Sequence, residues 1–198
     1  MKLYFIRHAP TKSNLTGKMV KNYDNAKIIK TDTTIWETTI GKYIPIEARN
    51  YVLCSPAKRC QQTCELLFNH KPLACMNEFA EFDCSGLGKN KFWEITREEF
   101  ENLVPLKPEE MAYKAKDIFI NLVKQFNYEH IEHCTIISHG MFIRYLYHYL
   151  IGNKDISAYD VINSKGFKFS NLDLMIYDTE TNEISVYNYK DPVNHSIC

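Results

Sequence analysis

The stretch LYFIRHAPTKSN, residues 3–14, runs four apolar residues directly into an arginine and a histidine with no turn signal between them. A continuous apolar run of that length suits a strand buried on both faces. Arg7 and His8 then stand at its carboxyl end. Two further segments repeat the layout: YVL (51–53) passes into CSPAKRCQQTCELLF (54–68), and CTII (134–137) into SHGMFIRYLYHYL (138–150). Buried strands alternating with helical patterns predict an α/β protein, a three-layer α/β/α sandwich around a mostly parallel central sheet. Ligands of such sheets bind beyond the carboxyl ends of the strands, so the three polar clusters converge if their strands are neighbours.

The rest of the chain is read around that frame. Helical spacing predicts helices at about 56–68, 92–102, 108–127 and 140–151. Ser55 is placed to cap the first of these and Pro56 to occupy its first position, which sets Arg59 in the first turn beside the positive end of the helix dipole. The alternating stretch NLDLMIYDTETNEISVYNY (171–189) predicts a hairpin turning near Asn182 at a sheet edge. Residues 19–50 are polar, with a weak helical suggestion at 37–43, and read as a surface loop, with a mobile segment over the strand ends as the alternative. Residues 1–198 read as a single domain.

Lys plus Arg and Asp plus Glu both number 24, so no overall basic field gathers nucleic acid or an anionic membrane. No apolar run approaches the roughly 20 residues of a membrane span, and the N-terminus lacks a signal-peptide layout, which predicts a cytoplasmic protein. Seven cysteines without paired CxxC spacing predict reduced, packed thiols. Cys60 and Cys64 share a helix face, but no third and fourth ligand accompanies them, and no metal or other cofactor is expected. His130 and His133 read as solvated loop residues, His148 stays unassigned, and Phe142, Tyr145 and Tyr149 read as core at helical spacing.

Arg7, His8, Arg59 and His139 each follow a predicted strand. Two guanidinium groups and two imidazoles suit a tetrahedral dianion, which they hold by charge-assisted hydrogen bonds. Gly140, at a helix start, leaves room for an anion to approach backbone N–H groups. Singly, each residue is commonplace; the threefold repetition of strand, polar cluster and helix gives the pattern its meaning.

RHAPTKSN (7–14) resembles the Arg-His-Gly-x-Thr-x-x-Asn signature of the histidine phosphatase superfamily, with Ala9 at the glycine position. CSPAKRCQQT (54–63) is similar to its Ser-Pro-x-x-Arg-x-x-x-Thr signature, and IISHGMFIR (136–144) to the third, which carries a second histidine. The resemblance implies the phosphoglycerate-mutase-like fold and a phosphomonoesterase in which His8 forms a phosphohistidine that water then cleaves. It implies phosphate contacts from Arg7, Asn14, Arg59, His139 and Gly140. It also implies a proton donor from MNEFAEFDCSGLG (76–88), where Glu78, Glu81 and Asp83 are candidates and Glu81 fits the family spacing best.

The chain's shortness and its RHAPT form favour the phosphatase branch, which includes alpha-ribazole phosphatase, and a small phosphate ester as substrate. A mutase-type phosphoryl transfer and a non-catalytic phosphate-binding protein that keeps the fold are the alternatives. Ala9 raises its own question, since alanine would be strained there if the position required positive φ.

Overall fold

The computed structural model describes residues 1–16, 25–81, 96, 98, 102, 108–153, 158–163, 167–189 and 191–197. Its strands are β1 (Lys2–Arg7), β2 (Val52–Cys54), β3 (Ala74–Cys75), β4 (His133–Ser138), β5 (Leu174–Asp178), β6 (Ile184–Asn188) and β7 (Asp191–Ile197). Together they form a seven-stranded sheet in the order β3-β2-β4-β1-β5-β6-β7. The pairs β3·β2, β2·β4 and β4·β1 are parallel, whereas β5, β6 and β7 add antiparallel at one edge. The hairpin between β5 and β6 turns through Asn182 with φ of 60°, a left-handed conformation that asparagine tolerates.

Strand periodicity builds the layers. Leu3 and Phe5 face one side of β1, where they join Leu53, Ile136, Met175 and the helix residues Leu122, Phe126, Phe142 and Tyr145. Tyr4 and Ile6 face the other, with Val52, Cys54, Ile137, Trp36, Ile40 and Leu67. Two-residue alternation thus divides a continuous apolar run between two cores, and both faces of the sheet are covered. The first core is closed by α5 (Pro108–Tyr128) and α6 (Gly140–Leu150), and the second by α2 (Thr34–Thr39), α3 (Ile46–Asn50) and α4 (Lys58–Phe68). Two short helices, α1 (Lys12–Thr16) and α7 (Ala158–Asn163), complete the set. The helix expected at 92–102 lies outside the described residues.

Two expectations change. The described part of 19–50 is a packed cap and not a surface loop: Trp36, Ile40 and Ala48 are fully buried at near-helical spacing, and Trp36 Nε1–H donates to the Leu172 carbonyl at 2.9 Å. Its apolar stripe was hidden because it is spread over α2, a single 3₁₀ turn and α3, none long enough to show a repeating period. Helix α4 begins at Lys58, after Ala57 in extended conformation, so Pro56 precedes the helix. Ser55 Oγ accepts from Ala57 N–H at 3.2 Å, but its second partner is the site described below.

Replacing Trp36 with alanine removes a buried ring and a hydrogen bond together, and should destabilise the fold by about 3–5 kcal/mol. Trp36→Phe keeps most of the volume but leaves the Leu172 carbonyl unpaired, an expected loss of about 1–3 kcal/mol. Urea unfolding of the two variants checks both values; equal stability of the Trp36→Phe protein and wild type would show that the indole hydrogen bond contributes nothing.

Candidate active site

Strand order decides where the three clusters meet. β4 lies between β2 and β1 and runs parallel to both, with Arg7 opposite Ser138 and Cys54 opposite Ile137. His8, Ser55 and His139, each the next residue in its chain segment, therefore emerge side by side at one sheet end. Backbone bonds fasten them: His8 N–H donates to Ser138 O at 3.0 Å and Ser55 N–H to Ile137 O at 3.0 Å.

His8 is almost fully buried, and its Nδ1 lies 2.8 Å from the Ala9 carbonyl. A carbonyl only accepts, so Nδ1 carries the proton and Nε2 keeps its lone pair. Burial first, then the positive charges of Arg59 and Arg7, hold the His8 imidazole well below its ordinary value. The tautomer and the protonation state both suit a nucleophile.

His139 stands 5.4 Å from His8, ring centre to ring centre, in an edge-on arrangement. Arg59 Nη2 donates to its Nδ1 at 2.9 Å, which leaves Nε2–H to donate to Ser55 Oγ at 2.8 Å. Burial and the neighbouring Arg59, His8 and Arg7 charges push His139 well down as well. Arg59 is fully buried on the first turn of α4.

Arg7 is the last residue of β1, and its Nη1 donates to the Phe169 carbonyl at 2.7 Å. Gly140 admits it: a Cβ at that position would come within 3.0 Å of the guanidinium Cζ and Nε. The missing side chain thus makes space for the arginine itself, in addition to any approach to backbone N–H groups. Ala9 has no positive φ, so alanine is unstrained there. Its N–H donates to Thr63 Oγ1 at 2.8 Å, which in turn donates to the Arg59 carbonyl at 2.6 Å and links the first cluster to the second.

Glu81 reaches the same place from another direction. Its carboxylate accepts from Phe142 N–H at 3.2 Å and Met141 N–H at 3.4 Å, in the helix turn that follows His139. The segment before it is pinned by Ser138 Oγ–H, which donates to Phe79 O at 2.8 Å. Glu78 points to solvent from a short 3₁₀ turn, and Asp83 lies outside the described residues. Asn14 Oδ1 accepts from the Thr11 N–H and hydroxyl at 3.0 and 2.8 Å, which leaves its amide N–H groups as what it can offer a ligand.

Sequence reasoning missed the residues 167–173. Asn171 Nδ2 donates to the His8 carbonyl at 2.7 Å, Leu172 N–H donates to Arg7 O at 3.0 Å, and Leu172 holds φ of 68°. Arg144, one turn into α6, shares the Phe169 carbonyl with Arg7, at 3.4 Å; burial and the Arg7 charge lower it to about 10. No local motif announces these partners, because they come from the loop before an antiparallel strand. His148 is buried against Phe167 and Tyr147. Among the described residues no group of three or more His, Cys, Asp or Glu is placed to hold a metal ion, and no helix is long and apolar enough to cross a membrane.

The model of the histidine phosphatase superfamily (branch 1) matches residues 3–191. No curated protein matches the chain in sequence. Among solved structures, a phosphoserine phosphatase mutant from Entamoeba histolytica in complex with phosphoserine is 16% identical, with a TM-score of 0.66 over 94% of this chain and 95% of that one. The alpha-ribazole phosphatase from Shigella flexneri is 17% identical, with a TM-score of 0.61 over 98% of this chain and 100% of that one. A phosphoglycerate mutase from Bacillus anthracis is 13% identical, with a TM-score of 0.62 over 100% of this chain and 92% of that one. At these identities the likeness is one of fold.

The two site histidines, alongside His148, which burial and the Arg144 charge also lower, make stability depend on pH. Both have an ordinary value of 6.5 and folded values well below it, so below about pH 6.5 the unfolded chain binds protons that the folded one refuses. Their contribution is complete above that pH and is lost progressively as pH falls beneath it, by up to about 1.4 kcal/mol per pH unit for each histidine. Urea midpoints between pH 7.5 and 5.5 should fall accordingly, and His8→Gln should flatten the slope; an unchanged slope in that variant would contradict a neutral, buried His8.

Proposed function

The chain belongs to the histidine phosphatase superfamily, and from that premise we propose a metal-independent phosphatase of a small phosphorylated metabolite, working through a phosphohistidine on His8. The observation that carries this reading is the His8 imidazole itself: its Nδ1 proton is fixed on the Ala9 carbonyl, its Nε2 is unprotonated, and two arginines flank it.

His8 Nε2 attacks phosphorus as the bond to the ester oxygen breaks, and the leaving alkoxide takes a proton from Glu81. Water then attacks the phosphohistidine and returns a proton to Glu81; the N–P bond breaks, which releases inorganic phosphate and restores His8. Charge in the loose transition state spreads over the equatorial oxygens. Arg7 and Arg59 are the cations that meet it, with the Asn14 amide N–H and the Gly140 backbone N–H as neutral donors. His139 accepts from Arg59 through Nδ1 and so holds the guanidinium in place at the site. The arginines supply the charge neutralisation that a divalent ion supplies elsewhere.

Solved structures that share the fold include a phosphoserine phosphatase and an alpha-ribazole phosphatase, which supports a small phosphate ester as the substrate class. The test is release of inorganic phosphate from a panel of small phosphomonoesters in EDTA. Wild type should turn over at least one, vanadate should block it, and His8→Ala should abolish it. Glu81→Gln should slow alkyl phosphates by about 10²–10⁴-fold but p-nitrophenyl phosphate far less, because its leaving group needs no proton. Equal losses on both would remove Glu81 from the acid role, and activity that vanishes in EDTA would overturn the mechanism.

A further inference from the structure

Away from the phosphate-binding groups, Cys54 on β2 and Cys75 on β3 are register partners on adjacent parallel strands, and their Sγ atoms are 3.5 Å apart. Both are free thiols; Cys54 is fully buried and Cys75 is exposed. Register places both side chains on one face of the sheet, and neighbouring strands bring Cα atoms within the range a disulfide spans. We propose that this pair is an oxidation site, at which hydrogen peroxide or an organic hydroperoxide converts Cys54 and Cys75 into an intramolecular disulfide.

Exposure sets the order of events. The Cys75 thiolate attacks the peroxide, the O–O bond breaks, and a sulfenic acid and one water (or an alcohol) result. Cys54 Sγ attacks the sulfenic sulfur, the S–O bond breaks, and the departing hydroxide takes the Cys54 proton to leave as water. Two thiols have then lost two electrons and two protons, and hydrogen peroxide has become two waters. Cys54 suits the second role, because burial keeps it away from solvent oxidant while its Sγ lies directly against that of Cys75.

The sulfurs must close from contact to about 2 Å. β3 is the part able to move, since it is a two-residue edge strand with one neighbour, whereas β2 is held on both sides. The loop the disulfide closes, 54–75, contains Ser55, Arg59 and Thr63, so the modification encircles the second cluster and tethers the chain that continues to Glu81.

The test treats the intact protein with hydrogen peroxide, then denatures it, alkylates remaining thiols and maps peptides without reduction. A Cys54–Cys75 linked peptide should appear, lighter by two hydrogens than the sum of its parts and abolished by dithiothreitol. Cys75→Ser, a change at an exposed position, should leave Cys54 fully alkylatable at the same dose. Cys75 accumulating as sulfinate beside an alkylatable Cys54, Cys75 linked to a different cysteine, or Cys54 oxidised equally in the Cys75→Ser protein would each overturn the proposal.

Discussion

Four cationic or potentially cationic groups, Arg7, His8, Arg59 and His139, are buried together at one end of a sheet, and the cost of burying their charge, with their mutual repulsion behind it, is the constraint to which the surrounding structure answers. Two arginines cannot give up their charge under ordinary conditions, so the imidazoles do. Neutral histidines then need each ring nitrogen satisfied or deliberately left open. His139 has both engaged, by Arg59 and Ser55, while His8 has one engaged by its own neighbour's carbonyl. The burial and the repulsion that would weaken a structural cluster here prepare a nucleophile.

Holding such a cluster requires support from every side, and the supports are mostly backbone. Parallel pairing of β4 with β1 and β2 fixes three strand ends to one another, and Thr63 ties the first loop to the α4 helix. The 167–173 loop grips the backbone of Arg7 and His8 from the fourth side, with a left-handed leucine as the strained element. A β-unbranched but bulky residue in that conformation is held there by its surroundings, since its carbonyl takes the Trp36 indole and its N–H the Arg7 carbonyl.

Local order was legible where one stretch carries its own signal. The three apolar runs gave the parallel strands, the residues after them gave Arg7, His8, Arg59 and His139, and alternation gave the β5–β6 hairpin. Strand order was not legible, because nothing in YVL or CTII says which neighbours which; it follows from how the crossovers pack. The α2–α3 cap escaped because its apolar stripe is broken across short helices, and Asn171, Phe169 and Arg144 escaped because their partners lie far off in the chain or act through a carbonyl every residue possesses. Glu81 was reached through family spacing, and its grip on the first N–H groups of α6 had no sequence signature.

The close fit of the Arg7 guanidinium against Gly140 also bears on how this chain can vary. Any side chain at 140 takes the volume in which the arginine lies, and any shorter residue at 7 opens a void beside the helix. Substitutions at the two positions are therefore not independent steps: a mutant at one meets a barrier unless the other changes too. Drift can work on the antiparallel edge strands one residue at a time, but at this contact it has to move by pairs.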